Sequence, residues 1–225
     1  MIRTRSRYAL VAGAALATSV LASGLPARAQ APAAHGGASS GPSSGLSFDV
    51  GVMSKAPTGV WADYTMAPTA PQPGTKPLTI RYALVERTPQ KMSLEIDTPT
   101  PKGDVFVRFD LAPVSADTWK LAGGRMMHGD DKIDMTKDEI AAAPPMKSGA
   151  QPGQLVGAES ITVPAGTFQC KHFRNKLTPD ASSPVLDVWV SDAVTPTGLV
   201  KSMLSPAGIT MQLAATGTGA QSRVK

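Results

Sequence analysis

From about residue 60 to residue 214 the side chains alternate between apolar and polar with a period of two. In LTIRYALVE (78–86), Leu78, Ile80, Tyr82 and Leu84 alternate with Thr79, Arg81, Ala83 and Val85. KMSLEID (91–97) sets Met92, Leu94 and Ile96 against Ser93, Glu95 and Asp97. DVFVRFDL (104–111) sets Val105, Val107, Phe109 and Leu111 against Phe106, Arg108 and Asp110. Successive side chains of a strand point to opposite faces, so these runs predict half-buried strands. VWADYTM (60–66) and WKLAGGRMM (119–127), the latter interrupted by Gly123-Gly124, add two more, and the pieces RTPQ, TPTPKGD and PVSAD supply turns between them. After PPMKSGAQPG the pattern resumes at about 154–163, 167–177, 184–191, 198–205 and 208–214, with short connections PAGT, TPDASS, DAVTPT and SPAG.

One stretch breaks the period. TKDEIAAA (136–143) opens with a T-x-x-E capping box and stops before Pro144-Pro145, which predicts a single short helix. The expected fold class is therefore mainly β. It is a curved antiparallel meander or half-barrel of about ten strands with one or two short helices, one of them covering the sheet.

The ends of the chain read differently. MIRTRSRYAL carries Arg3, Arg5 and Arg7 and no acid, an apolar run extends from Ala9 to Leu25, and Ala27-Arg28-Ala29 forms a small-x-small site. Together these predict a cleaved secretory signal peptide over residues 1–29; the apolar run is too short for a membrane span of about 20 residues. The segment has no Arg-Arg pair and no lipobox cysteine, so the expected location is the periplasm or the extracellular space. Residues 30–46, QAPAAHGGASSGPSSGL, are uncharged and rich in Gly, Ser, Ala and Pro, and predict a flexible linker in which His35 has no role. The domain then spans 47–217 and a polar tail 218–225.

Removing the signal peptide changes the charge balance. The whole chain has 22 basic and 17 acidic residues, but four of the bases lie in residues 1–29, which leaves 18 against 17. The basic character thus belongs mostly to the segment that is removed, and nucleic-acid binding is not expected. No second apolar run is long enough to span a membrane. A single cysteine forms no internal disulfide, so the fold must rest on its core.

Candidate chemistry centres on TVPAGTFQCKHF (162–173), which holds the one cysteine and, two positions on, a histidine. On a strand, Phe168, Cys170, His172 and Arg174 share a face, with Cβ atoms about 6.5–7 Å apart. A nucleophile and its base need contact of roughly 3 Å and a third orienting group, so the pair reads as a half-buried cysteine beside a rim histidine. MMHGDDKID (126–134) groups His128, Asp130, Asp131 and Asp134, but it lacks the EF-hand spacing and reads as a solvated turn. G-x-S-x-G, P-loop, G-x-G-x-x-G and H-E-x-x-H patterns are absent. No catalytic, cofactor-binding or metal-binding residue is therefore expected.

The apolar faces are more suggestive. Ten methionines in a chain with few aromatics give an adaptable lining, and Phe168, Val188, Met203 and Met211 are the candidate lining of an apolar ligand site. GAESITVPAGTFQCKHFRNK, DVWVSDAVTPTGLVKSML and GITMQLAATG together resemble a pattern of exported bacterial proteins similar to the lipoprotein-localisation (LolA/LolB-like) half-barrels. The resemblance covers about 154–217, with weaker agreement over 59–135, and its motifs are turn and core features. It implies an incomplete barrel wrapped around a short helix that shelters acyl chains, and it carries over no functional residue.

The expected function is that of a non-enzymatic envelope protein that binds a lipid or other apolar ligand. The alternatives are a structural or protein-interaction module without a cavity, partnered by another envelope protein, and an enzyme using Cys170 and His172.

Overall fold

The computed structural model describes residues 48–70, 74, 76–151, 153–177 and 183–224. The signal-peptide and linker segments, with His35, lie outside the described residues. The described residues begin with helix α1 (Val50–Lys55), followed by strands β1 (Trp61–Pro68), β2 (Leu78–Thr88), β3 (Lys91–Thr98), β4 (Val105–Pro113), β5 (Thr118–His128) and β6 (Asp131–Asp134). Helix α2 (Lys137–Ala142) and strand β7 (Met146–Lys147) precede β8 (Gln154–Val163), β9 (Gly166–Lys176), β10 (Val185–Val190), β11 (Leu199–Ser205) and β12 (Ile209–Gly217).

All twelve strands among the described residues form one open, curved antiparallel sheet in the order β6-β5-β4-β3-β2-β1-β12-β11-β10-β9-β8, with β7 on β5. Two meanders, β1–β6 and β8–β12, are thus joined in mid-sheet by the pairing of β1 with β12. Every strand expected from the period-two pattern is present. The β8–β9 hairpin turns through Pro164 and Ala165, with Val163 opposite Gly166, whose φ of 135° suits glycine.

The covering helix is not the one the capping box marks. α2 has its box intact, with the Thr136 hydroxyl accepting from the Glu139 N–H and the Glu139 carboxylate accepting from the Thr136 N–H, yet it buries no residue. The buried helix is α1, which Asp49 caps through the Gly51 N–H and which buries Val50, Gly51, Val52 and Met53. Six residues make less than two turns, too few for a 3.6-residue period to register in the sequence. Asp49 N–H also donates to the Thr197 carbonyl, which ties α1 to the β10–β11 connection.

The core is built from Tyr64, Leu84, Met92, Leu94, Leu111, Val188, Val200 and Leu213, all fully buried. Tyr64 joins the two meanders: from β1 its hydroxyl donates to the Leu199 carbonyl at 2.7 Å and bonds the Thr197 hydroxyl at 2.5 Å. Its ring stands edge-on to Tyr82, with centroids 5.4 Å apart.

Two elements depart from the half-buried expectation. On β3 the polar residues Ser93 and Glu95 are as buried as their apolar neighbours. Ser93 bonds Glu86, Asp110 and Arg108, and Glu95 is met by the segment read as a polar tail. The Glu95 carboxylate accepts from the Arg223 N–H at 2.8 Å, from the Val224 N–H at 3.4 Å and from the Ser222 hydroxyl, and Val224 is buried. A carboxylate that accepts several donors in a sheltered site outweighs its own desolvation only while all of them are present. Replacing Glu95 by alanine should therefore loosen this strap without unfolding the sheet. Trypsin cleavage after Arg223 is expected to become about tenfold faster, the effect of losing roughly 1–3 kcal/mol of local protection. An unchanged rate would show that the strap is held by something else.

Candidate functional site

The hairpin that sets β8 against β9 also decides what surrounds His172. Its register places Glu159 opposite Cys170 and Gly157 opposite His172, while β10 brings Trp189 opposite His172 and Asp187 opposite Arg174. Cross-strand neighbours share a face, so Glu159, His172, Arg174, Asp187 and Trp189 converge. His172 Nε2 lies 2.7 Å from Asp187 Oδ1 and its Nδ1 lies 3.1 Å from Glu159 Oε1. Arg174 Nε donates to the same Asp187 oxygen at 2.8 Å, and Trp189 Nε1 donates to Glu159 at 2.7 Å. The imidazole stacks on the indole with centroids 4.4 Å apart, and the Lys201 ammonium lies 5.3 Å from the indole centroid.

A carboxylate only accepts, so these contacts draw their donors from the imidazole, the indole and the guanidinium. Burial alone would raise the Asp187 carboxyl, but the hydrogen bonds from Arg174 and His172 outweigh it and hold the group below the ordinary carboxylate range.

His172 is accordingly a buried, clasped residue and not the rim histidine expected from its position. Cys170 is buried, not half-buried, and its thiol points to the Phe168 carbonyl at 3.5 Å. Burial pushes that thiol up, and the nearby Glu159 charge adds to the effect. With both ring nitrogens of His172 facing carboxylates, the imidazole is not aimed at the Cys170 thiol.

The four residues taken as ligand lining do not share one surface. All belong to, or pack against, one core cluster. The register sets Val188 and Met211 on one face, through Ser202, and Phe168 and Met203 on the other, through Arg174 and Asp187. The Asp-rich turn is likewise dispersed. Asp134 pairs with Arg125 at 2.5 Å, and His128 Nε2 contacts the Lys102 carbonyl at 3.2 Å. Among the described residues no group of three or more His, Cys, Asp or Glu side chains is placed to hold a metal ion.

The opposite face of β9 and β10 carries a large cleft. It has a volume of about 890 Å³ and lies between α1 and the β8–β10 sheet. Val52, Ala56, Phe173 and Val190 supply apolar wall, and Lys55, Lys171 and Gln151 supply polar groups. Lys55 and Lys171 are exposed and form no ion pair within 4.0 Å among the described residues. Gln151 Nε2 is shielded from water and has no hydrogen-bond partner among the described residues. A buried donor without an acceptor costs about 1–3 kcal/mol, which a ligand oxygen would recover. Sequence reasoning did not find this lining, because α1 shows no period and most of the β9 wall, Gln169, Lys171 and Phe173, alternates with Cys170 and His172.

Fold and site thus define a β-sheet protein with one helix-sheltered cleft and one buried ionic clasp on opposite faces of the same strands. Among the described residues no helix is long and apolar enough to cross a membrane. No protein-family model matches the chain, and no curated protein matches it. Among solved structures it is similar to a hypothetical protein, CT021, of Chlamydia trachomatis. The two share 10% identity with a TM-score of 0.48, over 76% of this chain and 93% of that one.

Proposed function

We propose that this chain is an exported, non-enzymatic envelope protein whose cleft beneath α1 binds an amphiphile bearing an anionic or acceptor headgroup. The observation that carries this reading is the pairing of apolar wall with one unsatisfied buried donor, Gln151 Nε2, and two lysines without an ion pair among the described residues, in one cleft of about 890 Å³. That volume is within the range of small-molecule sites, about 300–1,000 Å³. Val52, Ala56, Phe173 and Val190 would take the apolar part. Lys55, Lys171 and Gln151 would receive the headgroup. The export signal and the resemblance to lipid-sheltering half-barrels agree with such a role. The ligand contacts move from Phe168, Val188, Met203 and Met211 to the cleft, because those four are committed to packing.

Titration with oleate, followed by calorimetry, tests the reading. One saturable site per chain is expected, with weaker binding of oleyl alcohol. Lys171→Glu is expected to weaken oleate about 10–100-fold, since a charge-assisted hydrogen bond contributes about 1.5–3 kcal/mol. Lys171 is exposed, so the variant should fold. Failure of oleate and of shorter anionic amphiphiles to bind the wild-type chain would remove the proposal. The alternative of an interaction module has its own support in the open edge of β8.

A further inference from the structure

The two edges of the sheet are unlike. β6 ends one side with four residues, Asp131–Asp134, three of them charged. β8 ends the other with ten residues, and residues 154–160 are all exposed. An edge strand presents a row of unpaired backbone donors and acceptors, and proteins ordinarily blunt it with lysine, proline or a covering element. From Gln154 to Val163 the strand has no lysine, arginine or proline. Its single charge, Glu159, is turned onto His172 and Trp189 of its own chain. Leu155 and Val156 are 55% and 53% exposed, two of only five large apolar side chains so exposed among the described residues. The bulge between Leu155 and Gly157 leaves the ladder regular from Gly157 onward. The hairpin tip beyond it is already engaged, with the Ala165 N–H on the Leu213 carbonyl.

From this edge we infer that β8 pairs antiparallel with β8 of a second copy of the chain, joining two sheets across a twofold axis. An antiparallel strand is self-complementary about such an axis, since each outward N–H of one copy meets a carbonyl of the other. The edge has no free charge to select an acidic or basic partner, and none to oppose its own copy. Lys171, Arg174 and Lys176 lie one strand further in, on β9. Across a self-paired edge the backbones of those cations stand about 14 Å from their counterparts, three strand spacings of roughly 4.8 Å. That exceeds the screening length of about 8 Å at physiological salt. Pairing would also take Leu155 and Val156 out of water. The inference is independent of the cleft, whose ligand binding could fail while dimerisation holds.

Sedimentation velocity of the purified wild-type chain over a range of concentrations tests it. A monomer–dimer equilibrium is expected. Leu155→Lys and Val156→Lys, both on exposed side chains, should each raise the dimer dissociation constant at least about tenfold. Ile133→Lys, on the opposite edge, should leave it unchanged, and circular dichroism verifies that each variant folds. A wild-type chain that stays monomeric at millimolar concentration overturns the inference, whether or not it then accepts an unrelated extended peptide. A dimer indifferent to both β8 substitutions overturns it equally, because the contact would then lie on another face.

Discussion

Replacing Tyr64 by alanine is expected to cost about 3–5 kcal/mol, the range for truncating a large, fully buried aromatic side chain. For a chain of this size that corresponds to a fall in melting temperature of roughly 6–20 °C. Two effects combine. The ring is fully buried and packs edge-on to Tyr82, so its removal leaves a cavity at the join of the two meanders. The hydroxyl is lost as well, which strands the Leu199 carbonyl and the Thr197 hydroxyl. Tyr64→Phe separates the two, because it keeps the ring and removes only the hydrogen bonds. About 1–3 kcal/mol is expected for it. Burial already drives the Tyr64 hydroxyl far above its ordinary pKa, so no ionised form competes with this arrangement. Equal losses for the two variants in denaturant titrations would mean that the ring contributes little and that the meanders are held elsewhere.

The second large effect is expected at Asp187. Breaking a buried ion pair by removing one partner costs about 3–5 kcal/mol. Asp187→Ala should fall near the lower limit, because the Arg174 side chain is 55% exposed and can turn to water, whereas His172 cannot. The pH dependence has a definite sign. The folded-state pKa of Asp187 is lowered, by the Arg174 and His172 hydrogen bonds against the opposing effect of burial. Its stabilisation is then fully present above the unfolded carboxylate value of about 3.9 and is lost as pH falls through the lower folded value. The difference in unfolding free energy between wild type and Asp187→Ala should shrink below about pH 4. A difference that grew on acidification would contradict the clasp.

The strands were legible because period-two alternation survives wherever one face is apolar, as in Leu78, Ile80, Tyr82 and Leu84. What escaped was set by geometry that a single strand does not display. α1 is too short to show a period, and its only signal was Asp49 as a cap. β7 has two residues, and β6 is charged at three of its four positions, so neither alternates recognisably. The burial of Glu95 depends on a strap that arrives from residues 222–224. The clasp was half legible. Reading along β9 shows Cys170 and His172 as i and i+2, which suggests that they belong together. Counting across the PAGT hairpin instead puts Glu159 beside both, and that turn was already visible in the sequence. Asp187 and Trp189 could not be placed in this way, because the connection between β9 and β10 is longer and fixes no register by itself.

The clasp and the cleft occupy opposite faces of the same strands. The clasp stitches β8, β9 and β10 together through Glu159, His172, Arg174 and Asp187, and so holds rigid the sheet that forms one wall of the cleft. Residues that read as a catalytic pair along the strand are thus part of an ionic clasp behind one wall of the cleft.

The most direct test of the binding cleft is an NMR titration of the isotope-labelled chain with oleate. The backbone amides of Val52, Ala56, Lys171, Phe173 and Val190 are expected to shift together and to saturate. Those of Trp61 and Arg81, which stack at 4.3 Å away from the cleft, should stay in place. Shifts confined to the Trp61–Arg81 surface, or no saturable shift at all, would contradict it.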